Sequence, residues 1–134
     1  MTSNGPLLRE FVVLVVDDDP DSLATASIAI ESLGCSVLRA ASRDEALAVL
    51  DSGAHVDLVF SDVVMPDIDG LEFAERLNTL RPGLPVIFCT GYSSAVEALT
   101  DNGAMALMKP YSADVLERVV TERLELAQQG ADQA

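Results

Sequence analysis

Short apolar runs alternate with longer segments of helical spacing along the whole chain. Residues 11–16 form an unbroken apolar run, and three aspartates follow directly. A continuous Val-rich run reads as a strand buried on both faces, as in parallel sheets. Residues 20–33 then read as a helix, with Asp19 as N-cap, Pro20 at the first helical position and Gly34 past the end. A short strand at 36–40 leads to Ser42, which caps a helix through residue 50 with Glu45 as its capping-box partner. The third strand falls at 57–61, and 62–69 reads as loop, punctuated by Pro66 and Gly70. A third helix spans 70–80, with Leu71, Ala74 and Leu77 on one side. Strand 85–90, a short helix at 94–101 closed by Asn102-Gly103, and strand 105–108 come next. The last helix runs from 112 to about 127, with Val115, Leu116, Val119, Leu124 and Leu126 as its apolar positions.

Strict alternation of strand and helix implies a parallel sheet covered on both faces. Five strands predict an α/β, doubly wound, flavodoxin-like (βα)5 sheet of order 2-1-3-4-5. A chain of 134 residues suits one domain, expected at 9–127 between flexible ends at 1–8 and 128–134. The net charge of −14 disfavours nucleic acid and anionic membranes as direct partners. Cys35 and Cys89 form no metal-binding or redox motif, a pattern that fits a reducing, cytoplasmic setting. The first ten residues lack a signal-peptide core, and no apolar run reaches membrane-spanning length.

Chemistry concentrates at four strand ends. Strand one delivers Asp17, Asp18 and Asp19, strand three Ser61 and Asp62, strand four Thr90 and Gly91, and strand five Lys109 and Pro110. Open α/β sheets bind ligands at this edge, and these strands are neighbours in the expected order. Each residue alone has an ordinary structural role: a cap, a turn, a solvated charge. Capping needs only one of the three aspartates, however. Carboxylates about 5 Å apart repel by roughly 3 kcal/mol per pair at an effective dielectric near 20, so a compensating cation is implied. Oxygen-only ligands suit Mg²⁺ or Mn²⁺. A carboxylate nucleophile, a divalent cation, a hydroxyl and an ammonium together fit phosphoryl handling. No Gly-rich cradle follows strand one, which argues against a nucleotide site.

The strings Val-Val-Asp17-Asp18-Asp19-Pro20, Ser61-Asp62-Val-Val-Met65-Pro66-Asp67-Ile-Asp69-Gly70, Cys-Thr90-Gly91-Tyr and Met-Lys109-Pro110-Tyr111 carry a resemblance. They resemble the receiver (response-regulator) domain of two-component signalling, of the chemotaxis-regulator kind. The resemblance covers about residues 9–127 and implies a phosphoacceptor rather than a turnover enzyme. It implies phosphorylation of Asp62, and Mg²⁺ held by Asp17, Asp18, Asp62 and the Val64 carbonyl. Thr90 and Lys109 would contact phosphoryl oxygens, Gly91 would leave room beside them, and the Lys109-Pro110 bond would be cis. The implied partners are a sensor histidine kinase or histidine phosphotransfer protein, and a protein target on the face of the fourth helix, fifth strand and last helix. The chain departs from the family at Ala106, where an aromatic switch residue is common. Tyr92 and Tyr111 flank the site as candidate substitutes. A different class remains as the alternative: a haloacid-dehalogenase-like Mg²⁺-dependent phosphatase, with Asp17 and Asp19 as its nucleophile and acid.

Overall fold

In the computed structural model, residues 10–62, 70–101 and 105–133 are described. The elements in order are β1 (Val12–Val16), α1 (Pro20–Glu31), β2 (Ser36–Ala40), α2 (Arg43–Asp51) and β3 (Leu58–Asp62), then α3 (Gly70–Leu80), β4 (Val86–Thr90), α4 (Ser93–Asp101), β5 (Met105–Met108) and α5 (Ala113–Gln133). The five strands make one parallel sheet in the order β2-β1-β3-β4-β5, as the alternation predicts.

Side-chain alternation splits the core into two layers. Val13 and Val15 of β1 pack with Phe60, Ile87 and Cys89 against Ala26 and Ile30 of α1 and Leu116, Val120 and Leu124 of α5. Leu14 and Val16 point the other way, with Val59 and Phe88, onto Ala46 and Leu50 of α2, Phe73 and Leu77 of α3 and Leu99 of α4. Both faces of β1, β3 and β4 are therefore buried, which is why these strands read as unbroken apolar runs.

Local chemistry sets the boundaries. Asp19 caps α1: its side chain accepts from the Ser22 amide at 3.2 Å and from Ser22 Oγ at 2.7 Å. α1 stops at Glu31, two residues before the expected end, and Gly34 takes the turn at φ 100°. In α2, Glu45 N donates to Ser42 Oγ at 3.1 Å, while Glu45 Oε1 accepts from the Ala41 amide rather than from the cap itself. β3 starts one residue later than expected because the Asp57 carboxylate leaves the strand to accept from Val12 N at 2.7 Å. α5 runs on to Gln133, past the expected end near Ala127.

The register positions the site. Val16 lies opposite Ser61, and Asp62 lies opposite Cys89. Asp17 and Asp62 therefore leave adjacent strands at the same height. The expected ligand Val64, the turn at Asn102-Gly103 and the amino-terminal stretch 1–8 lie outside the described residues. Among the described residues, no helix is long and apolar enough to cross a membrane.

Candidate functional site

Above the carboxyl ends of β1, β3 and β4, a cleft of about 500 Å³ is lined by Asp17, Asp18, Asp19, Ser22, Asp62, Gly91, Tyr92 and Lys109. Asp17 and Asp62 are each only 6% exposed. Asp18 is exposed at the rim.

Each carboxylate is held by a specific donor. Asp17 Oδ1 accepts from the Asp19 amide at 2.9 Å, and the Asp17 amide donates to the Ala40 carbonyl at 3.1 Å. Asp62 Oδ2 pairs with Lys109 Nζ at 2.6 Å. A charge-assisted contact this short is among the stronger hydrogen bonds proteins make. Burial pushes the Asp17 carboxyl above its ordinary range, and the neighbouring charges of Asp62 and Asp18 add to that rise. The Asp19 amide and the Lys109 ammonium only partly oppose it. Partial burial alone would lower Lys109, but its hydrogen bond to Asp62 and the surrounding acidic groups outweigh that and hold it above its usual value. Lys109 is therefore a cation fixed against Asp62 at neutral pH. Asp19 lies lower than an ordinary carboxyl, chiefly because Ser22 Oγ and the Ser22 amide donate to it.

Thr90 stands apart from this group. It is fully buried, does not line the cleft, and its Oγ1 accepts from the Tyr92 amide at 3.2 Å. A hydroxyl that accepts one bond keeps its proton to donate. Its carbonyl accepts from the Lys109 amide at 2.7 Å, which ties the ends of β4 and β5 together. The Lys109-Pro110 bond is cis, as the resemblance implies.

Cations could be held by the oxygen-rich wall of Asp17, Asp18 and Asp62. The donor types fit Mg²⁺. Asp17 presents Oδ1 to the Asp19 amide and Asp62 presents Oδ2 to Lys109 Nζ. Among the described residues, no three acidic, His or Cys side chains are already gathered as a ligand set.

Several participants escape a reading of strand ends. Ser22 joins the cleft from the first turn of α1, and the Asp-x-x-Ser spacing of a capped helix could have signalled it. Phe60 sits two residues before Asp62 and packs edge-on against Tyr111, ring centroids 6.0 Å apart and planes at 89°. Of the two tyrosines, Tyr92 is 63% exposed. Tyr111 instead belongs to the α1/α5 core layer, beside the Cys89 thiol. Burial pushes both partners up, Cys89 to about 12 and Tyr111 above its usual value, so both stay protonated at neutral pH.

Comparison with known proteins agrees with this geometry. The response regulator receiver domain model matches residues 13–121. The transcriptional regulatory protein GlrR of Escherichia coli (strain K12) is 36% identical over 124 residues, covering 90% of this chain and 28% of that protein. The sensor kinase CckA of Brucella abortus (strain 2308) is 37% identical over 118 residues, covering 84% of this chain and 12% of that protein. The chain thus spans under a third of the length of these curated relatives. A CheY-like receiver domain protein from Methanospirillum hungatei JF-1 superposes with a TM-score of 0.81 at 31% identity, covering 90% of this chain and 98% of that one. None of these comparisons supports the phosphatase alternative. The chain belongs to the response regulator receiver domain family.

Proposed function

We propose that the domain accepts a phosphoryl group from a phosphohistidine onto Asp62 and passes the signal to a protein partner. The observation that carries this reading is the Lys109 Nζ–Asp62 Oδ2 pair at 2.6 Å, set on a carboxylate only 6% exposed and level with Asp17. The pair orients the Asp62 carboxylate, as a nucleophile requires.

The chemistry balances without an added oxidant or reductant. An Asp62 oxygen forms a bond to phosphorus, and the phosphorus–nitrogen bond of the donor imidazole breaks. The leaving nitrogen takes the electron pair and then a proton. Mg²⁺, held by Asp17, Asp18, Asp62 and the Val64 carbonyl, would supply neutralisation of the charge on the phosphoryl oxygens. Lys109 exchanges part of its contact with Asp62 for a phosphoryl oxygen, and the Thr90 hydroxyl, turning from the Tyr92 amide toward the cleft, donates to a second one. The product is an acyl phosphate that ends the sequence, so the domain is a stoichiometric acceptor and not a turnover enzyme.

The donor is a sensor histidine kinase or histidine phosphotransfer protein, and the setting is the cytoplasm, where buried free thiols such as Cys35 and Cys89 persist. The output face is formed by α4, β5 and α5, because β4 and β5 carry Thr90 and Lys109 at their ends. Incubation with phosphoramidate, a phosphorus–nitrogen donor, tests the reading. One phosphoryl group per chain is expected in Mg²⁺ and none after chelation. Sustained hydrolysis of para-nitrophenyl phosphate would instead restore the phosphatase reading.

A further inference from the structure

We infer that the Phe60–Tyr111 ring pair is a strut that positions Lys109 against Asp62 and couples that pair to the start of α5. The inference rests on the proposed role of Asp62 and names the residues that set its geometry from below.

Spacing makes the argument. Phe60 precedes Asp62 by two residues on β3, and alternation places residues so spaced on one face of a strand. Tyr111 follows Lys109 by two residues. The ring contact at 6.0 Å therefore lies one step beneath the 2.6 Å ion pair and joins the same two chain segments. Edge-to-face packing at this separation has a preferred geometry, unlike aliphatic contact. Phe60 is 2% exposed in the middle of the sheet, so it is the fixed end of the strut.

The other end leads to α5. Ser112 follows Tyr111 directly, and its Oγ accepts from the Val115 amide at 3.2 Å at the start of that helix. Its carbonyl accepts from Leu116 at 3.0 Å. Lys109, Tyr111 and Ser112 thus form a four-residue path, through Pro110, from the reacting carboxylate to a helix cap. On the opposite face, β5 offers Ala106 opposite Phe88, with no ring to respond. Tyr92 is too exposed to serve as a strut. When Lys109 leaves Asp62 for a phosphoryl oxygen, Tyr111 must slide on Phe60 or hold the loop back, and either alters the α5 cap.

The test uses Tyr111→Leu, Tyr111→Phe, Phe60→Leu and the Phe60→Leu/Tyr111→Leu double variant of the full chain. Labelling rate is followed against acetyl phosphate concentration in Mg²⁺. Tyr111→Leu keeps apolar volume but loses the ring, and should lower the maximal rate about tenfold with little change in the half-saturating donor concentration. Tyr111→Phe keeps the ring and should stay within about twofold of wild type. The double variant should be no slower than the slower single variant, because both remove one contact. Amide exchange with and without beryllofluoride adds a second readout: protection of Val115 and Leu116 should change in wild type and not in Tyr111→Leu. A Tyr111→Leu rate equal to wild type overturns the strut, as does a Tyr111→Phe rate that falls with it. If Phe60→Leu fails to fold, the two Tyr111 variants and the exchange data decide. Failure of wild type to label at all would instead overturn the phosphoacceptor reading.

Discussion

The two faces of the sheet are built differently beneath the same site. On the α1/α5 face, Phe60, Cys89, Leu107 and Tyr111 fill the layer directly under Asp62 and Lys109. On the face covered by α2, α3 and α4, β5 contributes Ala106 to the core, and an open groove of about 820 Å³, lined also by Met105 and by Arg123 of α5, runs beside α3, α4 and the amino-terminal ends of β4 and β5. Ala74, Val86, Phe88 and Ala106 line its apolar side. A packed layer transmits displacement because its side chains have few alternative positions. A layer that ends on an open groove leaves its side chains room to yield. The packed α1/α5 layer is thereby the stiffer support of the site, and the layer beside the groove the softer one.

The largest test of that contrast is a pair of core truncations. Phe60→Ala and Phe73→Ala each remove a fully buried ring, one from each face, and each should cost about 3–5 kcal/mol in urea unfolding. Only Phe60→Ala should also slow labelling of the folded protein. Equal slowing in both would mean that the faces are not distinguished at the site.

A smaller effect comes from adding volume. Ala26 is 4% exposed in the filled layer, and Ala26→Phe should cost about 1–3 kcal/mol through overpacking. Ala106→Phe adds the same ring beside the groove and should change stability by less than about 1 kcal/mol. Thermal melts of the two variants read the difference directly. A large loss in Ala106→Phe would show that the groove cannot receive a side chain from β5.

The smallest expected effect concerns charge. Asp17 is raised above its ordinary value of 3.8, so the folded state holds that proton more tightly than the unfolded chain. The stability it contributes is fully present below pH 3.8 and is lost as pH rises through the raised value. Asp17→Asn removes that loss. Without divalent cation at pH 7 it should be more stable than wild type by on the order of 1 kcal/mol, one partly screened charge contact. The gain should vanish toward pH 3 and also shrink for wild type in Mg²⁺. A variant less stable than wild type at pH 7 would show that burying the Asp17 charge beside Asp62 and Asp18 carries no net cost.

Much of this was legible in the residues. Unbroken apolar runs announced strands buried on both faces, and the strand order followed from their alternation with helices. The ends of β1, β3 and β5 could be placed in one site because parallel strands bring their carboxyl ends together. The finer geometry was not legible. Tyr92 follows the end of β4 by two residues and Tyr111 the end of β5 by three, and the sequence offers no means of knowing that one faces solvent and the other a ring on β3. Thr90 reads as a cleft residue, yet its side chain is buried and turned to the Tyr92 amide. Asp57 reads as the first residue of a strand, yet its carboxylate serves as a cap for Val12. In each case a tertiary partner distant in sequence decides the orientation, and local periodicity carries no record of it.

The central claim is that Asp62 alone carries the phosphoryl group, and intact mass spectrometry after incubation with acetyl phosphate and Mg²⁺ tests it most directly. Wild type should gain the mass of one phosphoryl group, lost on mild base treatment as an acyl phosphate is, and Asp62→Asn should gain none. Undiminished labelling of Asp62→Asn would contradict the account.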